Sequence, residues 1–299
     1  MKKNTFIIIS IILLINVSVY FSDTGFCKKF SINTLYVGGN GIGNYSSIQE
    51  AINASNKGDL IFVFKGIYNE NLNINKSISL TGENKDTTII NGKNKQNIIT
   101  INASNVNISR FTIQNGQVSG IFIKNVESCN IFQNNINANK FGIQIAVASN
   151  IKIFNNTILN NYGIGINATC NSSKFISYNT TLCNNNSIFH NNFINNTQHG
   201  YDIGNISWSY NNQGNYYDDY TSLDKNNDGI GEKPYLISNQ GSVDNYPLMM
   251  PFNGKIRIKD FYVDEGLLYK MLVISLIIAI IFVLPIGYIW YRKYHKKKM

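Results

Sequence analysis

This sequence predicts an all-β chain wound as a parallel β-helix, and two observations predict it. Apolar residues recur in register about every 22 positions, and the segments between them are rich in Asn and Gly. The paired isoleucines Ile108 and Ile113, Ile131 and Ile136, and Ile153 and Ile158 advance by 23 and then 22 residues. The Gly-Ile-x-Ile groups that begin at Gly120, Gly142 and Gly163 advance by 22 and 21. Ile90 with Ile99–Ile101 supplies an earlier copy, and Ile188 and Phe193 with Gly200 a later one. So short a period, filled with brief alternating runs, fits one coil of strands per repeat and is too short for a helix-turn-helix repeat. Successive coils then lie about 4.8 Å apart, so Ile131 is expected to stack on Ile153, and Ile143 on Ile164. Asn134, Asn156 and Asn191 form an expected ladder in one bend, and Gly120, Gly142, Gly163 and Gly200 mark another, where a positive φ is easy.

Each element has its own justification. Residues 1–22 begin with two lysines and an apolar run, the pattern of a secretory signal or signal anchor. Ser47 followed by Glu50 is a capping-box pattern, and Ile48, Ala51 and Ile52 give one apolar helical face. A short helix there would cover the open first coil of a β-helix spanning 34–210. Cys170 and Cys183 bracket the insertion NSSKFISYNTTL, where a disulfide would close a bulging loop, the alternative being two separate thiols. Residues 211–252 form a Tyr- and Asp-rich closing module, and 253–270 a juxtamembrane linker. Residues 271–291 hold no charge, end in Tyr288, Trp290 and Tyr291, and precede the basic tail 292–299, the pattern of a transmembrane helix. The positive tail places the β-helix outside the cell.

This topology explains the charge. Of 26 Lys and Arg, seven belong to the leader and tail, leaving 19 basic against 17 acidic residues. A nearly neutral ectodomain has no electrostatic footprint for nucleic acid.

The stretches YSSIQEAINAS with GDLIFVFKGIYNENLNINKSISLTGENKDTTIING, the NIxxFNN and GIxI coils, and the closing HNNFINNTQHGYD, GNYYDDYTSLDKNNDGIGEKPYLI and DNYPLM together resemble the NosD-like, pectin-lyase-like β-helix proteins of methanogen and other archaeal surfaces. The resemblance spans roughly residues 34–252. It implies a right-handed β-helix, a surface address and an association with carbohydrate binding, but no defined reaction.

Three chemistries find unequal support in the residues. Polysaccharide hydrolases and lyases on this scaffold work with clustered carboxylates, yet Glu127 is the only acidic residue between Thr87 and Tyr201. An enzyme would therefore need a cluster of Asp202, Asp218 and Asp219 near the last coil. Copper handling, which the name-giving relative suggests, needs grouped soft or imidazole ligands, and the ectodomain has His190, His199, Met249 and Met250 but no Cys-x-x-Cys or Met-rich run. Calcium fits better. Asp224, Asn226 and Asp228, with Gly229 next, match the start of a D-x-N-x-D-G loop, and Glu232 falls at position nine, whereas position twelve is Tyr235. The alternative is an Asx-rich turn without an ion. Trp208, Tyr210, Tyr216, Tyr217 and Tyr220, with Asp218 and Asp219 among them, either face a glycan or plug the core. Twelve N-x-S/T sequons between Asn44 and Asn205 make a glycosylated surface an expectation too. The expected function is thus a membrane-anchored envelope β-helix, non-catalytic, binding cell-surface glycans or envelope proteins, with polysaccharide lyase or glycoside hydrolase and copper handling as the alternatives.

Overall fold

A computed structural model describes residues 33–169, 183–203, 206–238 and 241–253. The chain divides into two units between Phe252 and Asn253, and the solenoid is the first of them. The leader 1–22, the linker beyond Asn253, the segment 271–291 and the tail 292–299 lie outside the described residues. Among the described residues, no helix is long and apolar enough to cross a membrane.

The first unit is a parallel β-solenoid with three long sheets of eight, seven and six strands, numbered sheets 1, 2 and 3 in the order the chain visits them. One coil shows the plan: Asn130–Phe132 lies in sheet 1, Asn135–Asn137 in sheet 2 and Phe141–Ser149 in sheet 3. The next strand of sheet 1, Lys152–Phe154, then pairs in parallel with Asn130–Phe132. Bends as tight as the one between sheets 1 and 2 need a left-handed residue. Arg110, Gln133, Asn155 and His190 fill that place in successive coils, with φ of 66°, 57°, 57° and 56°.

Parallel pairing stacks like on like. In sheet 1 Leu80, Ile108, Ile131, Ile153 and Ile188 form one buried column, and in sheet 2 Ile90, Ile113, Ile136, Ile158, Phe193 and Tyr217 form another. Each fully buried isoleucine contributes about 1.5–3 kcal/mol. Sheet 3 corrects one expected pair: Ile143 stacks on Ile166, while Ile164 pairs with Phe141. The motif Gly163-Ile164-Gly165-Ile166 contains two Gly-Ile steps, and the second occupies the register. The glycines also differ in role from the expectation, since none of Gly120, Gly142, Gly163 and Gly200 has a positive φ. They permit close approach instead: a Cβ on Gly142 would lie 2.5 Å from the Gly165 carbonyl.

Two ladders of asparagines, all buried but the half-buried Asn196, hold the bends. In the first, the backbone N–H and Nδ2 of Asn134 donate to Asn156 Oδ1 at 3.0 and 3.1 Å, those of Asn156 to Asn191, and those of Asn191 to Asn215. The second, Asn139, Asn161 and Asn196, repeats the pattern between sheets 2 and 3. At the other end of the unit, helix Ile48–Ala54 buries Ile48, Ala51 and Ile52, with Ser47 as its N-cap. Glu70 accepts the Ile48 and Gln49 N–H groups at 2.9 and 3.0 Å, so its charge sits where the helix dipole favours it.

Replacing Asn156 with Ala is expected to deprive the Asn134 backbone N–H and Nδ2 of the acceptor they share in the core. At about 1–3 kcal/mol per orphaned group, stability should fall by about 2–4 kcal/mol. The urea midpoint of unfolding checks this.

Candidate functional site

The closing module divides the expected ligand-binding residues by burial. Trp208 and Tyr217 are both 1% exposed and plug the core. The Trp208 indole donates to Asp202 Oδ2 at 2.8 Å, and Asp202 itself is fully buried, ending the core column Ile145–Ala168–Asp202. Tyr217 continues the column of Phe193, with its ring stacked on Tyr235 at 3.7 Å. Tyr216 pairs in parallel with Asn192, and the Tyr220 hydroxyl donates to the Lys233 carbonyl. Tyr210 alone of the five aromatics is substantially exposed.

Asp218 and Asp219 come together with a partner that the sequence suggests only for copper. His199 Nε2 lies 2.9 Å from Asp218 Oδ1 and 3.3 Å from Asp219 Oδ1. The second oxygens are held as well, Asp218 Oδ2 by the Asn195 N–H at 2.7 Å and Asp219 Oδ2 by the Tyr235 hydroxyl at 3.2 Å. Burial and the Asp219 charge push the Tyr235 hydroxyl pKa up, which keeps it a donor. Ligand atoms of His199, Asp218 and Asp219 all lie within 4.8 Å of one another, close enough for one metal ion.

The neighbouring ladder argues against a metal. Asn196 Oδ1 accepts from the Asn161 N–H, which fixes the amide so that its Nδ2 faces His199 Nδ1 at 3.3 Å. Nδ1 is therefore an acceptor and the ring proton sits on Nε2, directed at the aspartates. A metal on Nε2 would force that proton to Nδ1, against an NH2 group. The arrangement is a donor bridging two carboxylates, tying the last coil to the closing module. His190 takes no part: its Nε2 contacts Gln213 Oε1 and its ring stacks on Phe252 at 4.1 Å, so the two histidines form no copper pair.

In the calcium-like loop the acceptors are turned onto their own backbone. Asp224 receives the N–H groups of Asp228 and Gly229 at 3.1 and 2.9 Å, Asp228 Oδ1 that of Ile230 at 2.8 Å, and Glu232 Oε1 that of Lys225 at 3.2 Å. Asn226 presents its amide nitrogen to Asp228 Oδ2 at 2.9 Å. Gly229, at φ 87°, makes the turn that the pattern requires. Cys183 is disulfide-bonded, while Cys170 lies outside the described residues.

A feature that the sequence pattern does not reveal lies on the outer face of sheet 1. In register there, Phe62, Thr81, Ser109, Phe132, Phe154 and Phe189 form one column. The rings of Phe132, Phe154 and Phe189 stack at 5.2 and 5.3 Å, nearly parallel, and Tyr210 extends the row at 5.1 Å. Beside it runs a polar column in which Asn130 Nδ2 donates to Asn107 Oδ1 at 2.8 Å and Asn107 Nδ2 to Ser79 Oγ at 3.0 Å. Two depressions follow these columns, about 520 Å³ around Thr81, Asn107 and Phe132 and about 500 Å³ around Asn150, Ser187 and Tyr210. Lys152 lines both. The signal that could have found the row is an aromatic two residues before each ladder asparagine, at Phe132, Phe154 and Phe189.

No known family profile matches the chain, and no curated protein is significantly similar to it. Among solved structures, the ORF18 protein of Geobacillus virus E2 is similar at 18% identity and a TM-score of 0.43, covering 57% of this chain and 37% of its own. The chain thus spans little more than a third of that protein. A pectin methylesterase from carrot is similar at 14% identity and a TM-score of 0.37, with 64% and 73% covered. The pectin methylesterase PemA from Erwinia chrysanthemi is similar at 13% and 0.35, with 62% and 78% covered. These likenesses concern the β-helix fold.

Asp244 makes the closing module pH-sensitive. It accepts from the N–H and Nδ2 of Asn215, from the Tyr217 hydroxyl and from the Tyr246 N–H, yet burial outweighs these donors and pushes its carboxyl pKa up to about 6. A carboxyl with a folded pKa above its unfolded value stabilises the fold fully below about pH 4, and that contribution is lost as pH rises through about 6. Relative to the intrinsic exchange rate at each pH, the amides of Asn215 and Tyr217 should accordingly be better protected at pH 5 than at pH 7. Asp244→Asn should remove the difference attributable to this group.

Proposed function

We propose that the chain is a carbohydrate-binding β-helix of the cell envelope, anchored in the membrane by residues 271–291, with its solenoid outside and the outer face of sheet 1 as its glycan surface. The observation that carries this reading is the pairing of an aromatic row with an amide and hydroxyl row along one sheet. Sugar rings combine apolar C–H faces with many hydroxyls, and a trough that offers ring edges on one side and Asn and Ser groups on the other matches both. Phe132 ends its stack above the buried Ser109, whose hydroxyl meets that of Thr81, and Thr81 lines the depression beside it.

In this reading the helix Ile48–Ala54 is the lid of the first coil, Cys170 and Cys183 close the insertion, and the sequons make the surface a glycoprotein. The NosD-like assignment rests on the sequence motifs, from the YSSIQEAINAS opening to the DNYPLM close. Calcium at Asp224, Asn226, Asp228 and Glu232 would stiffen the closing module. If it binds, millimolar calcium should raise the melting temperature and Asp224→Ala should abolish the rise; no shift in the parent chain counts against an ion there.

A second reading, glycoside hydrolysis or lysis, is favoured by the convergence of Asp218 and Asp219 on His199. Their oxygens are all engaged by protein donors, which favours a structural latch instead. Titration of the full chain with glycan oligomers separates the readings. Binding without shorter products, weakened about threefold to tenfold by Phe132→Ala, is expected. Shortened products that vanish in Asp218→Asn would establish the enzyme.

A further inference from the structure

Resting on the glycan reading, we infer that the glycan is acidic and that Lys152 reads its charge. The two depressions on sheet 1 meet at Lys152, and it is the single charged residue among those that line either. The rest of the lining is amide, hydroxyl, aromatic or aliphatic, so no carboxylate of the protein neutralises the ammonium within the trough. Among the described residues Lys152 forms no ion pair. Its Nζ lies 5.7 Å from the centre of the Tyr210 ring, a contact that holds the cation in the trough while leaving its donors free.

Register makes the placement informative. Lys152 stands in the polar column directly above Asn130, in a row that reads Ser79, Asn107, Asn130, Lys152, Ser187. Below it each amide donates to the next group down, Asn130 to Asn107 and Asn107 to Ser79. Lysine has no acceptor with which to receive from Ser187 above it, and among the described residues its ammonium makes no hydrogen bond to Asn130 below, so the row is interrupted at mid-trough. A position that interrupts a hydrogen-bonded row with an unpaired cation, facing two depressions, is complementary to a single negative group on a chain laid along the solenoid. An ammonium is a point charge without the fork of a guanidinium, so it accepts a carboxylate or a sulfate alike.

The test uses the full chain and three oligosaccharide probes of equal length, one neutral, one carrying uronic acids and one sulfated. Calorimetry in low salt is expected to show the acidic probes binding about fivefold more tightly than the neutral one, the size of an exposed ion pair. The preference should vanish in Lys152→Gln, persist in Lys152→Arg and fade as salt screens it. The carboxylated and sulfated arms show which group is preferred. Equal affinity for all probes, or a preference that survives Lys152→Gln, overturns the inference. If neutral and acidic probes bind alike and Phe132→Ala weakens both, the glycan reading stands while the acidic one falls. If no probe binds, both fall.

Discussion

The structure depends on how a buried bend satisfies its backbone. A solenoid this narrow turns three times per coil, and the two bends that flank sheet 2 bury amide groups that water cannot reach. An unpaired buried N–H or C=O costs about 1–3 kcal/mol, and such a cost repeated in every coil would exceed the stability of a domain. Asparagine solves the problem because one short side chain carries both an acceptor and two donors. Asn156 takes the Asn134 N–H and Nδ2 on its oxygen, and with its nitrogen serves the Ile131 and Phe154 carbonyls and the next asparagine. Serine is too short to span two coils, and aspartate cannot donate. From Asn134 and Asn139 onward the bends therefore hold asparagine, while Phe111 and Gly116 one coil earlier give their backbone N–H groups to the first asparagine of each row.

The register of the ladders creates the trough as a by-product. Once Asn134, Asn156 and Asn191 stand in line, the residue two places earlier stands in line as well, and Phe132, Phe154 and Phe189 become a stack. Because Thr81 and Ser109 occupy the same column below them, the stack has an end. Core and surface are thus written by the same period, with isoleucine inward and phenylalanine outward on adjacent positions of one strand.

Much of this is legible in the letters. Periodicity reveals the coils, the core columns and the first asparagine ladder, since each is a one-residue statement repeated at a fixed step. What the letters conceal are relations across coils. Gly163-Ile164-Gly165-Ile166 offers two equivalent Gly-Ile steps, and only strand pairing decides between them. The second ladder, Asn139, Asn161 and Asn196, is hidden by the many other asparagines. The aromatic trough escapes notice because single phenylalanines in separate coils look unrelated until stacked. His199 carries no local signal of its role, because its aspartate partners lie about twenty residues along the chain, beyond any short motif.

The ladders also have a direction, and direction constrains what can end them. Every asparagine receives from the coil before and donates to the coil after, so the last nitrogen in each row needs a group that accepts. The first row ends on the Asp244 carboxylate, which takes Asn215 N and Nδ2. The second ends on His199 Nδ1, which faces Asn196 Nδ2. Because that nitrogen must accept, the imidazole proton is held on Nε2, and it is this proton that draws Asp218 and Asp219 together. The charged cluster at the mouth of the solenoid is therefore the terminus of a neutral ladder. A histidine locked in this tautomer can donate to the aspartates, but it cannot accept a proton from anything bound between them without first losing its own. It clamps Asp218 and Asp219 together, and the carboxylates it holds close the last coil as the asparagines close the others.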